Sequence, residues 1–291
     1  MKFEVECVQC LTRQLVDAAR VIYSDSADQT ALVQDALGFL STLSVERTPP
    51  AVIHDLCAYL EMRSGVKDPY RQIKTSFNRY VLRNYDMLES EIHRSDDPLQ
   101  AALLLSIVGN MIDMAVVSSV DTDDILQAVR IARDKTLPKE TLRSFRRDVE
   151  RAGSILYLGD NSGEIVFDKL LIHQLPREKI TYVVRGKPVL NDATLQDARD
   201  TGMTDLVRVV DNGAGAPGTV LELCSPEFLE MFDKADCVVS KGMGNVETLF
   251  ESPKNIYFVL QAKCAVLARF LEVPVGEFLF FNRSTGSKVS R

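Results

Sequence analysis

From about residue 9 to 150, apolar residues recur three and four positions apart with polar residues between them. Leu11, Leu15, Ala18 and Ile22 form one stripe, Leu32, Ala36, Leu37 and Leu40 a second, and Ile53, Leu56, Cys57 and Leu60 a third. That spacing is the period of amphipathic helices. Pro49-Pro50 separates the second stripe from the third, and Asp97-Pro98 restarts a helix that continues through Leu103, Leu105 and Met111. No strand is predicted before residue 150. After Gly153 the texture changes to short β-branched runs, each closed by Gly, Asn or Asp and followed by a helical pattern. The runs are Ser154–Leu158, Ile180–Val184, Leu206–Val210, Cys237–Val239 and Ile256–Leu260. The intervals leave room for a loop and a crossover helix, which predicts a parallel sheet with helices on both faces. The expected division is a helical part, 1–150, packed directly on an α/β part, 151–291.

The balance of 46% apolar and 26% charged residues is that of a globular chain. With 41 acidic against 34 basic side chains and a net charge of −7, no basic half offers itself to nucleic acid. The most apolar stretch, Ala101 to Val117, is broken by Gly109, Asn110 and Asp113. A bilayer-spanning helix would carry a charge near its middle, so a buried core helix is expected, and no membrane partner. The start MKFEVECVQC lacks the apolar segment of a secretory signal. Six cysteines in such a chain read as reduced thiols in a cytoplasm.

In open parallel sheets, ligands sit beyond the carboxyl ends of the strands, where loops and helix N-termini converge. The residues just after each run therefore matter most. Asp160 and Asn161 follow the first run, and Asp192 ends the loop after the second. Their oxygens are hard donors suited to Mn²⁺ or Mg²⁺, with Co²⁺ or Ni²⁺ as further candidates, whereas thiolate and imidazole would favour zinc or copper. Asp160 or Asn161 equally suits the N-cap of the next helix, as Asp192 does in its own loop. The conjunction of two acids and an amide at neighbouring strand ends favours a metal.

Lys241-Gly242-Met243-Gly244-Asn245 lies between a strand and a helix. Glycines admit close approach of backbone amides to a phosphate, and the lysine adds a point charge. Neither the Walker loop nor a GxGxxG after the first strand is present. Arg185 is a second candidate phosphate clamp. A phosphorylated substrate beside a divalent ion points to hydrolysis, with Asp160 and Lys241 as the expected catalytic residues. Cys7-Val8-Gln9-Cys10 is a single CxxC; with the distant Cys264 it would make a second metal or redox site, against a default of buried reduced thiols.

With these residues in place the chain resembles the metal-dependent damage-control phosphatases, once catalogued as domain of unknown function 89, in their prokaryotic CxxC-bearing branch. The resemblance runs through Cys7-x-x-Cys10, Asp68-Pro69-Tyr70 with Lys74 and Asn78, Gly109-Asn110-x-x-Asp113 and Gly159-Asp160-Asn161-x-Gly163-Glu164. It continues through Arg185-Gly186-Lys187-Pro188, Asn191-Asp192-Ala193-Thr194, Pro217-Gly218-Thr219, Lys241-Gly242-Met243-Gly244-Asn245-x-Glu247 and Lys263-Cys264. It implies a Rossmann-like three-layer α/β/α core with an N-terminal all-helical region, an ion held by Asp160, Asn161 and Asp192, and a phosphate held by Lys241 and its loop. The implied substrate is a small phosphorylated metabolite such as a sugar phosphate, with Asn110 and Asp113 shaping its non-phosphate end. Two rival functions are a carboxyl methyltransferase using S-adenosylmethionine, disfavoured by the lack of a glycine-rich first loop, and a non-enzymatic sensor of metal or anion.

Overall fold

A computed structural model describes residues 1–44, 46–109 and 122–283 of the chain. Helices α1 (Val5–Ile22), α2 (Ser26–Leu40), α3 (Pro49–Ser64), α4 (Arg71–Arg83), α5 (Tyr85–His93), α6 (Pro98–Gly109), α7 (Thr122–Arg133) and α8 (Lys139–Arg151) all precede the first strand. The apolar stripes of α1, α2 and α3 face one another: Leu11, Leu15, Ala36, Leu56 and Leu60 make a small core of their own, closed by Val189 from the second half. Helix α6 is buried along nearly its whole length, from Leu99 to Gly109. A side chain at Gly109 would lie 2.5 Å from the Phe167 ring, so only glycine permits this closeness. Asn110 and Asp113 lie outside the described residues.

The second half alternates strands β1 (Ile155–Leu158), β2 (Ile180–Val184), β3 (Arg208–Asp211), β4 (Cys237–Lys241), β5 (Ile256–Gln261) and β6 (Phe278–Asn282) with helices α9 (Glu164–Ile172), α10 (Leu195–Asp200), α11 (Pro226–Lys234), α12 (Met243–Leu249) and α13 (Ala265–Phe270). The sheet runs β3-β2-β1-β4-β5-β6. Its first five strands are parallel and β6 is antiparallel to β5. Both faces are covered, so the central strands are apolar without alternation. Tyr157, Tyr182, Val239 and Tyr257 face one core with α4, α6, α8 and α9. Leu156, Leu158, Val238 and Phe258 face the other, with α11, α12 and α13.

The α/β class, the parallel sheet and the two helical layers agree with the sequence reading. Strand β6 goes beyond it, because its run Phe-Leu-Phe-Phe-Asn follows a short segment without the spacing of a crossover unit. β3 begins at Arg208 rather than Leu206. The chain builds the sheet outward from β1 through β2 to β3, then returns to place β4 on the other side of β1. That reversal makes a crevice beyond the carboxyl ends of β1 and β4. Among the described residues, no helix is long and apolar enough to cross a membrane.

Candidate active site

The loops that leave β1, β2 and β4 meet at this crevice. Asn161 and Asp192 form an isolated antiparallel bridge, with the Ser162 amide on the Asn191 carbonyl at 2.9 Å and the Ala193 amide on the Asp160 carbonyl at 2.8 Å. Backbone pairing therefore sets two carboxylates and an amide side by side. None of the three caps a helix. The N-cap of α9 is Gly163, with φ of 73° and no side-chain cap. The N-cap of α10 is Thr194, in a capping box with Asp197. Asn161 does start α9 through its backbone, its carbonyl accepting from the Ile165 amide at 3.1 Å and its N–H meeting Glu164 Oε2 at 3.5 Å, but local helix chemistry leaves the placement of the three side chains unexplained.

Arg185, at the end of β2 and 1% exposed, lies between the acids. Its Nε donates to Asp192 Oδ2 at 2.6 Å and its Nη2 to Asp160 Oδ1 at 3.4 Å. Its Nη1 is buried without a hydrogen-bond partner. Burial, together with the charges of Asp192 and Glu164, pushes the Asp160 carboxyl up to about 8 in spite of Arg185 and Lys241. Burial likewise raises Asp192, against the pull of Arg185. Acids so crowded favour a counter-cation in addition to the guanidinium.

Every fully buried charged side chain among the described residues belongs to this neighbourhood: Lys74, Glu164, Asp168, Arg185, Asp192, Asp197 and Lys241. Buried charge is costly unless paired, and here the pairs interlock. Lys74 Nζ contacts Asp197 Oδ2 at 3.1 Å and Asp68 Oδ2 at 3.3 Å, and donates to the Asp192 carbonyl at 3.3 Å. Asn78 Nδ2 donates to Asp197 Oδ1 at 3.0 Å, while its Oδ1 accepts from the Gly163 amide at 2.6 Å. Helix α4 thereby pins both loops.

The KGMGN segment departs from the expected phosphate cradle. Lys241 is fully buried, and its Nζ donates to Glu164, to Asp168 Oδ1 at 2.8 Å and to the Ser106 carbonyl at 3.1 Å. Its three hydrogens have protein acceptors, so it presents none to a substrate. Burial alone would lower its proton affinity, but Asp168 and Glu164 hold it above the ordinary value. A side chain at Gly242, where φ is 79°, would fall 2.0 Å from Asp160 Oδ2, and one at Gly244 would fall 1.9 Å from the Pro217 carbonyl oxygen. The two glycines admit the Asp160 carboxylate and the 217–218 backbone. Asn245 ties that loop down, accepting from Thr219 Oγ1 at 2.8 Å and donating to the Lys241 carbonyl at 2.8 Å. Pattern reading misses the anchoring roles of Asp168, Asp197, Tyr157 and Tyr182. Asp168 carries a signal, one acid inside the apolar run Ile-Val-Phe-Asp-Lys-Leu-Leu-Ile, four residues after Glu164 and so on the same helix face.

Cys7, Cys10 and Cys264 are close enough to feel one another's charge, and Glu247 joins them. The three cysteines are free thiols, and burial raises the proton affinity of Cys7. Among the described residues, no group of three or more His, Cys, Asp or Glu side chains is arranged to hold a metal. The set at the crevice counts two such side chains and an amide. Asp211 accepts from the Gly213 amide at 2.9 Å, a local turn contact.

Residues 4–279 match the damage-control phosphatase ARMT1-like domain. The chain belongs to that family. An uncharacterized protein of Methanocaldococcus jannaschii is 34% identical over 97% of this chain and 96% of its own length. Proteins named damage-control phosphatase from Pyrococcus horikoshii and Archaeoglobus fulgidus are each 32% identical, covering 95% and 96% of this chain and 96% and 98% of their own lengths. The crystal structure of a DUF89 family protein from Pyrococcus horikoshii superposes with a TM-score of 0.88 at 28% identity, over 97% of this chain and 99% of that one. As a damage-control phosphatase domain, the chain has its buried charges gathered where the fold places a ligand crevice.

Proposed function

We propose that the protein is a divalent-metal-dependent phosphatase that hydrolyses a small phosphorylated metabolite, a sugar phosphate or a related damaged phosphometabolite. The observation that carries this reading is the juxtaposition of Asp160, Asn161 and Asp192 by backbone pairing, in positions that no helix cap requires. The donor set fits a hard cation: its oxygens come from two carboxylates whose proton affinity is raised by burial, that of Asp160 also by the charge of Asp192, beside an amide. Asp160, Asn161 and Asp192 would hold Mn²⁺ or Mg²⁺, which when bound supplies Lewis-acid stabilisation of charge on the phosphoryl oxygens.

The remaining work falls to the chain itself. Arg185 fixes the two carboxylates through Nε and Nη2, and its unpartnered Nη1 is the donor suited to a phosphoryl oxygen. A cavity of about 240 Å³ opens beside Arg185, lined by Asp68, Arg71, Pro188, Thr194, Leu195 and Gln196; there the leaving group would sit on a mixed polar and apolar surface. A smaller cavity of about 140 Å³, lined among others by His54, Cys57, Tyr70 and Val189, shares Asp68 and Pro188 with it. Lys241 holds Glu164 and Asp168 in place through its ammonium contacts.

The test is release of phosphate from p-nitrophenyl phosphate and from a panel of phosphometabolites, with Mn²⁺ and with chelator. Activity is expected with Mn²⁺ only, and Asp160→Ala should lower it at least about 100-fold, since outer-shell changes alone cost 10- to 100-fold in such sites. A Mn²⁺-loaded protein inert on the whole panel would overturn the reading.

A further inference from the structure

The Asn161 carboxamide has an oxygen end and an NH₂ end, and only the oxygen can serve a cation. Its Nδ2 donates to Asp160 Oδ2 at 2.8 Å and to Glu164 Oε2 at 3.1 Å. An amide NH₂ only donates, so both of its hydrogens are spoken for and the nitrogen end is fixed. We infer that Glu164 is a positioning residue that holds the Asn161 amide with its oxygen toward the ion site, and that Lys241 serves to anchor Glu164 rather than to bind phosphate. This rests on the metal-dependent reading above.

The anchor can be followed to the sheet. Glu164 is 1% exposed and has Lys241 Nζ at Oε1. Lys241 is itself held by Asp168, whose Oδ1 accepts from Tyr157 OH at 2.8 Å and Ser106 Oγ at 2.9 Å and whose Oδ2 accepts from Tyr182 OH at 2.8 Å. Tyr157 and Tyr182 are register partners on β1 and β2, with stacked rings 5.2 Å apart. A chain of hydrogen bonds thus runs from two central strands through Asp168, Lys241 and Glu164 to one amide at the loop. Asp160 alone would engage one hydrogen of that amide. Without Glu164, rotation about the terminal torsion could turn the NH₂ toward a cation, where its partial positive charge repels. Metal sites depend on outer partners of this kind to orient their ligands.

Two substitutions separate orientation from charge. In Glu164→Gln, Lys241 still demands an oxygen, so the new NH₂ faces that of Asn161, donor against donor, and Asn161 must turn. In Glu164→Asp the charge is kept, but the side chain is one methylene shorter and cannot reach both Lys241 and Asn161. The measurement is the Mn²⁺ dissociation constant, from titration of free Mn²⁺ by electron paramagnetic resonance, on proteins whose circular dichroism and gel filtration match the unaltered chain. Tenfold or greater weakening in both variants is expected. Less than tenfold in either overturns the inference; in particular, a charge effect alone leaves Glu164→Asp near the unaltered value. Asp160→Asn is the control for the site. If it abolishes Mn²⁺ binding while the Glu164 variants bind normally, only this inference falls. If the unaltered protein binds no Mn²⁺, the metal-dependent reading falls and takes this one with it.

Discussion

At the scale of single residues, what distinguishes this protein is charge held in the interior for no local reason. Asp160 and Asp192 both follow strands and precede helices, the usual place for a cap, yet Gly163 and Thr194 take the cap positions. The acids instead meet at the Arg185 guanidinium. Gly242 matters for the same geometry: its positive φ suits glycine, and the space a Cβ would fill holds the Asp160 carboxylate. Gly242→Ala is expected to displace that carboxylate and weaken Mn²⁺ binding at least about tenfold, in line with other disturbances of ligand geometry. Isothermal titration with Mn²⁺ reads this directly, and unchanged affinity would refute the role given to this glycine.

At the scale of elements, the short helix α10 and the loop before it are held from outside. The α10 capping box unites Thr194 and Asp197, with Thr194 N and Oγ1 donating to Asp197 Oδ2 at 2.9 and 2.7 Å. Burial would raise the Asp197 carboxyl, but the charge of Lys74 and the Thr194 hydrogen bonds hold it below the usual range. Asp197→Ala leaves Lys74 buried beside a partner lost and Asn78 without an acceptor. A cost of about 3–5 kcal/mol is expected, as for other broken buried pairs, read from urea unfolding. Thr194→Ala removes only the cap hydroxyl and should cost about 1 kcal/mol. Equal effects of the two changes would mean that α4 does not depend on Asp197.

At the scale of the molecule, the helical half and one face of the sheet share a continuous core, from Phe77 and Leu103 through Phe145 to Tyr157 and Val239. An ion that bound only the folded protein would stabilise the whole by mass action, by about 2.7 kcal/mol at 100 times its dissociation constant. Melting should therefore shift upward by roughly 4–5 °C with Mn²⁺, since an unfolding entropy of about 2.1 cal/mol/K per residue makes each kcal/mol worth somewhat under 2 °C in a chain of this length. The shift should vanish in Asp192→Ala. A second dependence comes from Glu247, where burial pushes the carboxyl up to about 7. The folded state then holds a proton that the unfolded state releases above its lower, ordinary value. Stability contributed at this site is accordingly full at low pH and falls as pH rises toward 7, by at most about 1.4 kcal/mol per pH unit. Glu247→Gln should flatten the decline in melting temperature between pH 5 and 7; an unchanged slope would count against it.

The sequence by itself determined the helical first half, five of the strands, the parallel sheet and the loops at its carboxyl edge. These follow from local periodicity and from the chain length a parallel crossover needs, and neither requires knowing what touches what. It also singled out Asp160, Asn161, Asp192 and Arg185, because hard oxygen donors and a cation at strand ends are visible in one dimension. Only the tertiary structure decided what those loops touch. Whether Asp192 caps a helix or faces Asp160, whether Lys241 meets a substrate or an acid on α9, and whether a glycine clears room for phosphate or for its own protein all depend on contacts between residues far apart in the chain. Asp168 and Tyr182 gain their meaning the same way, since a buried polar group is defined by the partner that satisfies it, and that partner is chosen by packing.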